Sequence, residues 1–288
     1  MMSSTRDLFR LVKFEHTLFA LPFAFVGAIA AGAGWPSPQT VLLILGAMVG
    51  ARTSAMALNR LIDLPLDAKN PRTSKWELPS GKVRKRDAWG LVFGGLVLLG
   101  FCARLLNPLD EDLPLALRLA PLAVALLALY PYTKRWGWWC HLWLGAVLAC
   151  APAGGWIAVA GGWGDALWWI VVGIMFWVAG FDILYSLQDL PFDKENNLKS
   201  IPVFWGETKA FVIARTFHAF ALLGFVGFGG VVGWGIAWWL GCGIAGALLV
   251  YQHRIVGPRN LERLDAAFFA ANGWLSIVLG VAAWLAAQ

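Results

Sequence analysis

Two short acidic motifs are the part of this sequence best suited to chemistry. In the first, Asn59, Asp63 and Asp67 recur at four-residue spacing, which places them on one face of a helix. The second carries Asp189 and Asp193 at the same spacing, and both copies read Leu-x-Asp-Leu-Pro-x-Asp. Grouped carboxylates repel one another unless a cation lies between them. The spacing therefore predicts a site for divalent cations and, through the cations, for a diphosphate.

The types of side chain in the motifs favour magnesium. Hard oxygen donors without a neighbouring thiol or imidazole suit Mg²⁺, which is typically bound by one or two carboxylates together with phosphate oxygens. A single motif of this kind could be a pair of solvated acids at a helix end, but the near-identical second copy argues against that interpretation. The predicted metal ligands are Asn59, Asp63, Asp67, Asp189 and Asp193.

Membrane-spanning helices must position these motifs. Of the 288 residues, 59% are hydrophobic and only 14% are charged, whereas soluble proteins contain about 25% charged residues. The predicted fold class is therefore all-α, a polytopic membrane protein with nine transmembrane helices, because a span needs about 17–25 apolar residues. The predicted spans lie near residues 17–34, 40–62, 89–107, 115–131, 139–160, 166–187, 209–231, 234–251 and 267–286.

The distribution of positive charge predicts the orientation of the chain. Of the 23 lysines and arginines, only Arg104 and Arg118 lie near the short turns on one side of the predicted bundle. The positive-inside rule then makes the long loops and the N-terminus cytoplasmic, so both acidic motifs face the cytoplasm. The net charge of +6 is explained by this topology, and no nucleic-acid partner is predicted.

The two motifs also define an internal repeat. We predict a single domain over residues 1–288, with pseudo-repeated four-helix units at about 1–135 and 136–266 and a ninth helix after them. Both motifs lie at helix ends and in loops, whereas a transporter holds its substrate near the middle of the bilayer. The position of the acids therefore favours an enzyme over a transporter.

A proline separates the two aspartates of each motif. Pro65 and Pro191 each remove a backbone donor and disfavour helical structure at the preceding residue. We therefore predict that each helix kinks or ends between its two aspartates, so that a loop aims the second one.

Basic side chains beside the motifs predict a polyanionic ligand. Arg72 and Lys75, in the loop after the first motif, could bind phosphate oxygens, and arginine offers a bidentate fork. Lys199 is the best candidate in the second loop. On spacing alone, Tyr130 and Lys134 form an aromatic and basic boundary at the end of the fourth predicted span, which any membrane protein could carry.

Other polar residues lie deeper or at the entrance of the first span. Asp182 and Tyr185 extend the face of the second motif into its helix, and Asp182 is a candidate for metal binding or for contact with a second substrate. His16, close to Lys13, either has no task or lines a pocket for a polar substrate. The remaining histidines have no metal-binding spacing and are interpreted as structural or interfacial: His141, His218 and His253.

Taken together, these motifs resemble the UbiA superfamily of intramembrane aromatic prenyltransferases. The resemblance covers essentially the whole chain and rests on the two acidic motifs, on Tyr185 before the second, and on Tyr130-x3-Lys134. It implies nine helices around a central cavity and two Mg²⁺ ions, held by the motifs, that bind the diphosphate of an isoprenoid donor. The residues that it implies contact this diphosphate are Arg72, Tyr130, Lys134 and Lys199.

Further segments resemble a group called 4-hydroxybenzoate polyprenyltransferase-like, which includes the futalosine-pathway menaquinone prenyltransferases. Among these segments are Asn70-Pro71-Arg72-Thr73 and Glu77-Leu78-Pro79-Ser80-Gly81. The chain departs from ordinary 4-hydroxybenzoate enzymes at Lys13-Phe14-Glu15-His16, where they tend to carry Lys-Pro-x-Gly. The acceptor is therefore left open between 4-hydroxybenzoate and a dihydroxynaphthoate.

The resemblance implies Mg²⁺-dependent transfer of a polyprenyl group from polyprenyl diphosphate to an aromatic acid, with release of diphosphate. This reaction would belong to ubiquinone or menaquinone biosynthesis in the lipid bilayer of a bacterial-type inner (cytoplasmic) membrane. Two alternatives stay open. One is a transporter or lipid-binding membrane protein without catalysis, and the other is a prenyltransferase whose acceptor is haem or a chlorophyllide.

Overall fold

The chain is all-helical wherever its structure is described, as the composition predicted. A computed structural model describes residues 4–12, 17–257, 261, 264 and 270–288, with only the backbone for 17–19. Its elements are α1 (Thr5–Leu11), α2 (Thr17–Gly32), α3 (Pro38–Asp67), α4 (Lys85–Leu105), α5 (Leu115–Trp136), α6 (Cys140–Ala160), α7 (Asp165–Ser186), a 3₁₀ turn (Leu187–Asp189), α8 (Leu190–Glu195), α9 (Ile201–Val232), α10 (Ile236–Ile255) and α11 (Asn272–Ala286).

Six helical stretches are long and apolar enough to cross a membrane. They are α3, α4, α5, α6, α9 and the stretch Asp165–Glu195, which joins α7 to α8. Within the described residues, the apolar helices Ala20–Gly32 and Asn272–Ala286 are shorter. Each of the nine predicted segments overlaps a helix, so the positions of the segments are confirmed. The count of nine membrane spans stays a prediction.

The helix α7 lies at the centre of the packing. It contacts α6 on one side and α9 on the other, and α6 in turn contacts α2 and α5. The contacts continue from α2 to α11, from α11 to α10 and from α10 back to α9, which closes a ring of helices. Helix α3 pairs with α4 and also contacts α5 and two members of the ring, α2 and α6, so it lies beside the ring.

Aromatic side chains fill the interior of this ring. Trp177 of α7 is fully buried, and its ring centroid lies 5.1 Å from that of Phe23 on α2. The indole Nε1 of Trp177 donates a hydrogen bond to Asn272 Oδ1 at 3.0 Å, which ties α7 to α11. Because lipid is as apolar as these side chains, close packing and interhelical hydrogen bonds, rather than burial from water, hold such helices together.

Small residues let the backbones of α2 and α6 approach closely. A Cβ atom added to Gly27 would collide with the carbonyl group of Pro152, and one added to Gly155 would collide with that of Ala24. This arrangement supports the interpretation of glycine as a helix-packing residue here, which is common between membrane helices.

Neither motif helix ends between its two aspartates, so that part of the prediction is wrong, while a kink there stays a prediction. Helix α3 continues through Pro65 to Asp67, so the predicted end between Asp63 and Asp67 is wrong. Pro65 has no N–H to donate to the carbonyl of Leu61, yet α3 continues past it for two more residues. In the second motif α7 has already ended at Ser186, before both aspartates. Pro191 occupies the first turn of α8, where its missing N–H needs no helical partner.

Candidate active site

One cavity joins the two acidic motifs. The end of α3, the loop after it, the end of α5 and the 3₁₀–α8 segment all contribute to its wall. The cavity measures about 90 Å³, room for roughly three waters at about 30 Å³ each, whereas ligand pockets typically measure about 300–1,000 Å³. Its polar lining comprises Asp63, Asp67, Asn70, Arg72, Thr73, Lys134, Arg135, Asp189 and Asp193. The structure thus brings the two motifs together around a small, partly open cavity.

Each motif carboxylate is paired with a basic side chain. The pairs are Asp63 with Arg135 at 3.0 Å, Asp67 with Arg60 at 3.5 Å, Asp189 with Arg72 at 2.5 Å, and Asp193 with Lys134 at 3.2 Å. Basic side chains therefore neutralise the acids in this state of the protein. In the described part of the chain, no three His, Cys, Asp or Glu side chains lie close enough together to hold a metal ion.

The pair between Arg72 and Asp189 fastens the loop after α3 to the second motif. Arg72 Nε donates to Asp189 Oδ1 at 2.9 Å, and Asn70 Nδ2 donates to the same oxygen at 3.1 Å. Partial burial lowers the pKa of Arg72, but the hydrogen bond and the charge of Asp189 outweigh this effect and raise the pKa overall. The Arg72 guanidinium also lies 5.7 Å from the ring centroid of Tyr185. The loop after α3 thus forms one side of the cavity.

The same loop folds back onto the end of α3. Thr73 Oγ1 donates to the backbone carbonyl of Asp67 at 2.9 Å. The guanidinium of Arg60 stacks over the ring of Trp76 at 3.8 Å while it pairs with Asp67. One turn deeper than Asp63, Asn59 Nδ2 donates to the Asp63 carboxylate at 3.3 Å. The first motif is therefore held by contacts within α3 and its own loop.

A buried histidine orients Asp182 beneath the cavity. His141, at the start of α6, is fully buried, and its Nδ1 lies 2.6 Å from Asp182 Oδ2. Its Nε2 accepts a hydrogen bond from the backbone N–H of Ile201 at 3.2 Å. Because a backbone N–H can only donate, Nε2 carries the lone pair and Nδ1 carries the proton, which is donated to Asp182. The carboxylate of Asp182 is thereby fixed in direction.

The other predicted site residues lie in several places. Tyr130 is one turn before Lys134 on α5 and does not line the cavity. Lys199 is exposed, and its Nζ donates to the carbonyl of Trp136 at 3.1 Å, outside the cavity lining. Lys13 and His16 lie outside the described residues.

Sequence reasoning missed several residues of the site. Arg60 and Arg135 adjoin Asn59 and Lys134 in the sequence, and this adjacency was the available signal, but charge at a helix end is equally well explained by membrane topology. Asn70 lies within the quoted Asn-Pro-Arg-Thr segment. The pairing of His141 with Asp182 joins two helices, and no spacing in the sequence indicates it.

Comparison with known proteins matches this arrangement to a family. The UbiA prenyltransferase family model matches residues 20–286. A relative from Nitrosococcus oceani named 4-hydroxybenzoate octaprenyltransferase is 30% identical over 252 residues, which cover 87% of this chain and 85% of that protein.

Solved structures share the fold. The apo structure of a UbiA homologue from Aeropyrum pernix K1 is 33% identical, with a TM-score of 0.84 over 93% of this chain and 96% of that one. A UbiA homologue from Archaeoglobus fulgidus, solved bound to DMAPP and Mg²⁺, has a TM-score of 0.71 at 20% identity over 97% of this chain and 99% of that one. This chain is a multi-pass membrane protein that belongs to the UbiA prenyltransferase family.

Proposed function

We propose that this enzyme transfers a polyprenyl group from polyprenyl diphosphate to the ring of an aromatic acid, 4-hydroxybenzoate or a dihydroxynaphthoate, and releases diphosphate. The observation that carries the proposal is the single cavity in which motif carboxylates are paired with arginine and lysine side chains. When a metal diphosphate enters, the carboxylates can exchange these partners for metal ions while the basic side chains turn to phosphate oxygens. The 4-hydroxybenzoate octaprenyltransferase name of the Nitrosococcus relative supports this substrate class.

The donor atoms of the cavity fit magnesium. Carboxylate and amide oxygens line it, and no thiol or imidazole does so among the described residues, which matches the preference of a hard cation. The residues that would hold the metal ions are Asn59, Asp63, Asp67, Asp189 and Asp193. Mg²⁺, when bound, would neutralise charge on the departing diphosphate. The Archaeoglobus homologue with DMAPP and Mg²⁺ supports this assignment.

Basic and aromatic side chains would bind the diphosphate itself. Arg72 and Lys134 already point at the motifs and would turn from Asp189 and Asp193 to phosphate oxygens. Lys199 would have to leave the carbonyl of Trp136 to join them. We further propose Tyr130 and Tyr185 as donor contacts, and Lys13 and His16 as substrate contacts at the entrance of the first span.

The reaction exchanges a carbon–oxygen bond for a carbon–carbon bond. The bond between the prenyl carbon and diphosphate breaks, and its electron pair leaves with the diphosphate. The electron-rich ring carbon of the acceptor attacks the cation-like prenyl carbon, and the ring then loses its proton. Asp182, oriented by its hydrogen bond with His141, would contact the acceptor and is the deepest of the proposed catalytic acids. The apolar bundle excludes water, which would otherwise capture the prenyl cation.

The same proposal specifies the architecture. We infer nine membrane spans in one domain of residues 1–288, with repeated units of about 1–135 and 136–266, around a cavity that widens when the ion pairs open. The site would face the cytoplasm from a bacterial-type inner membrane. Supporting this, α3 and α7 both end at the one cavity.

A membrane assay with labelled polyprenyl diphosphate tests the reaction. Both candidate acids would be offered with Mg²⁺, and Asp63→Asn and Asp189→Asn would be compared with Asp165→Asn, a control at the other end of α7. We expect the two motif variants to lose about 100-fold or more in rate, since they remove groups that stabilise the transition state, while the control stays within about twofold. EDTA should abolish transfer.

The outcomes separate the alternatives. Near-wild-type transfer by both motif variants would disprove the metal assignment. If diphosphate binds but neither acid is prenylated, the acceptor is another molecule such as haem or a chlorophyllide. Absence of donor binding would favour a transporter or lipid-binding protein.

A further inference from the structure

Two exposed arginines of α9 and α10 have no carboxylate partner among the described residues. Arg215 lies on α9, and Arg254 lies in the last turn of α10. The ion pairs that the structure describes all involve other basic side chains. Helix α9 is long and apolar enough to cross a membrane, where an arginine is costly unless it has a polar partner or reaches the interface. These two residues, the arginine patch, are therefore a candidate for binding an anion.

The packing of α9 on α10 places Arg215 beside His253. A Cβ atom added to Gly246 of α10 would lie 3.5 Å from a methyl carbon of Leu222 on α9, so these two positions face each other. Arg215 precedes Leu222 by seven residues, about two turns, and therefore shares its face of α9. His253 follows Gly246 by the same interval and shares its face of α10. In agreement with this register, Arg215 is a charged neighbour of His253.

A pair of histidines joins the two helices at the same level. His218 Nδ1 of α9 lies 2.8 Å from His253 Nε2, which is hydrogen-bonding distance, and His218 is buried. On either side of His253 in the sequence, Gln252 is buried and Arg254 is exposed. Arg254 therefore leaves α10 away from the packed interior. The two arginines thus emerge on the exposed side of the contact between α9 and α10.

The exposed surface beside the arginine patch is apolar. Leu223 and Val226 of α9 and Val250 of α10 are all exposed and lie on the side of the patch that leads away from the end of α10. In a membrane-spanning helix such side chains contact the acyl chains of lipids. The patch itself lies at the end of α10, which is on the predicted cytoplasmic side, at the level of the lipid headgroups.

A ligand that matches this surface carries both a negative charge and apolar chains. Arginine binds phosphate oxygens through two parallel hydrogen bonds, and basic clusters between membrane helices on the cytoplasmic side recognise anionic headgroups. A free phosphate ion would gain nothing from the apolar side chains next to the patch. A zwitterionic phospholipid brings its own cation, which the arginines would repel. Both comparisons favour an anionic phospholipid.

We propose that the arginine patch binds the phosphate of an anionic phospholipid, whose acyl chains lie along α9 and α10. The lipid would join α10 to α9, which packs on α7. The inference goes beyond the proposed reaction and does not depend on it, because no step of prenyl transfer involves Arg215 or Arg254. A failure of the proposed reaction would therefore leave this inference intact.

Lipid binding to the purified full-length protein in a neutral detergent tests the inference. Phosphatidylglycerol and phosphatidylcholine with the same acyl chains would be titrated, and bound lipid would be counted by native mass spectrometry. Each arginine near an anionic surface strengthens binding about fivefold, so the wild type should bind phosphatidylglycerol about tenfold or more tightly than phosphatidylcholine. Arg215→Gln and Arg254→Gln should each weaken binding of phosphatidylglycerol about fivefold, and the double variant should show no preference.

Arg104→Gln is the matched control. Arg104 is also exposed in the last turn of a membrane helix, α4, and has no carboxylate partner among the residues that the structure describes, but it lies on the predicted outer side. This variant should keep the full preference for phosphatidylglycerol. Arg215→Lys retains the charge and loses the fork, so it should fold and bind phosphatidylglycerol with intermediate affinity.

Three outcomes would overturn the inference. In the first, the wild type binds the two lipids equally. In the second, the double variant keeps the wild-type preference, which would place the anionic lipid elsewhere on the protein. In the third, inorganic phosphate displaces phosphatidylglycerol as effectively as a short-chain phosphatidylglycerol does, which would make the patch a site for free phosphate.

Discussion

At the scale of residues, each motif carboxylate of the candidate site forms an ion pair with a basic side chain. Asp193 is almost fully buried and depends on Lys134 for compensation. Removing one member of such a pair leaves an uncompensated buried charge, which is far more costly than replacing both. We therefore expect substitution of Lys134 or Arg72 to disturb these ion pairs as well as the proposed binding of diphosphate, and the two effects must be measured separately.

The contact between His141 and Asp182 gives a test at this scale. His141→Ala removes the donor that orients Asp182 and leaves the buried N–H of Ile201 without an acceptor. An unpaired buried donor costs about 1–3 kcal/mol, so both the unfolding midpoint and kcat should fall. Asp182→Asn should lower kcat. If His141 acts through Asp182, the double variant should be little slower than Asp182→Asn alone. Independent, additive losses in kcat would contradict this positioning role.

The sequence predicted that the acids of the two motifs lie together, as they do around one cavity, but not which partners they have. Four-residue spacing and the duplicated motif are local signals, and the structure brings both motifs to one cavity. The pairing of Arg72 with Asp189, or of His141 with Asp182, joins residues far apart in the chain. Such pairs depend on how helices pack, which local spacing does not encode. Lys199 was expected near the diphosphate by its position in the second loop, yet its amine binds a carbonyl outside the cavity.

At the scale of elements, hydropathy located the helices but not their ends. The run of apolar residues determines that α3 and α7 form, because in lipid every backbone group must be satisfied within the helix. The residue at which each helix ends depends on the conformation of the following loop and on contacts with neighbouring helices. Pro65 was expected to kink or end α3. The helix continues to Asp67, whereas α7 gives way to a 3₁₀ turn at Leu187, before the second motif's aspartates.

Close packing of α2 on α6 gives a test at this scale. Gly155→Ala would push a methyl group into the carbonyl of Ala24, whereas the neighbouring Gly154 has open space around it. Overpacking costs about 1–3 kcal/mol, so Gly155→Ala should lower the thermal midpoint in detergent and Gly154→Ala should not. Equal midpoints for the two variants would show that α2 and α6 can separate without loss.

At the scale of the whole molecule, both acidic motifs and the basic side chains that pair with them gather at one end of the helical bundle. Some of the basic residues from which the orientation of the chain is predicted therefore also pair with the acids of the site. For this reason, the sequence alone does not show which lysines and arginines serve membrane topology and which serve ligand binding. Arg135 and Arg72 are examples of both uses, since each lies on the predicted cytoplasmic side and each pairs with a motif carboxylate.

The predicted orientation can be tested in intact cells with two single-cysteine variants. The four native cysteines would be replaced, and Lys82→Cys in the loop after α3 would be compared with Asp112→Cys in the turn between α4 and α5, since both positions are exposed. If the positive-inside rule holds for this chain, a membrane-impermeant thiol reagent should label Asp112→Cys in whole cells and Lys82→Cys only after the membrane is opened. Retained prenyl transfer by both variants would show that they fold. Labelling of Lys82→Cys from outside would place the acidic motifs, and with them the whole reaction, on the opposite face of the membrane.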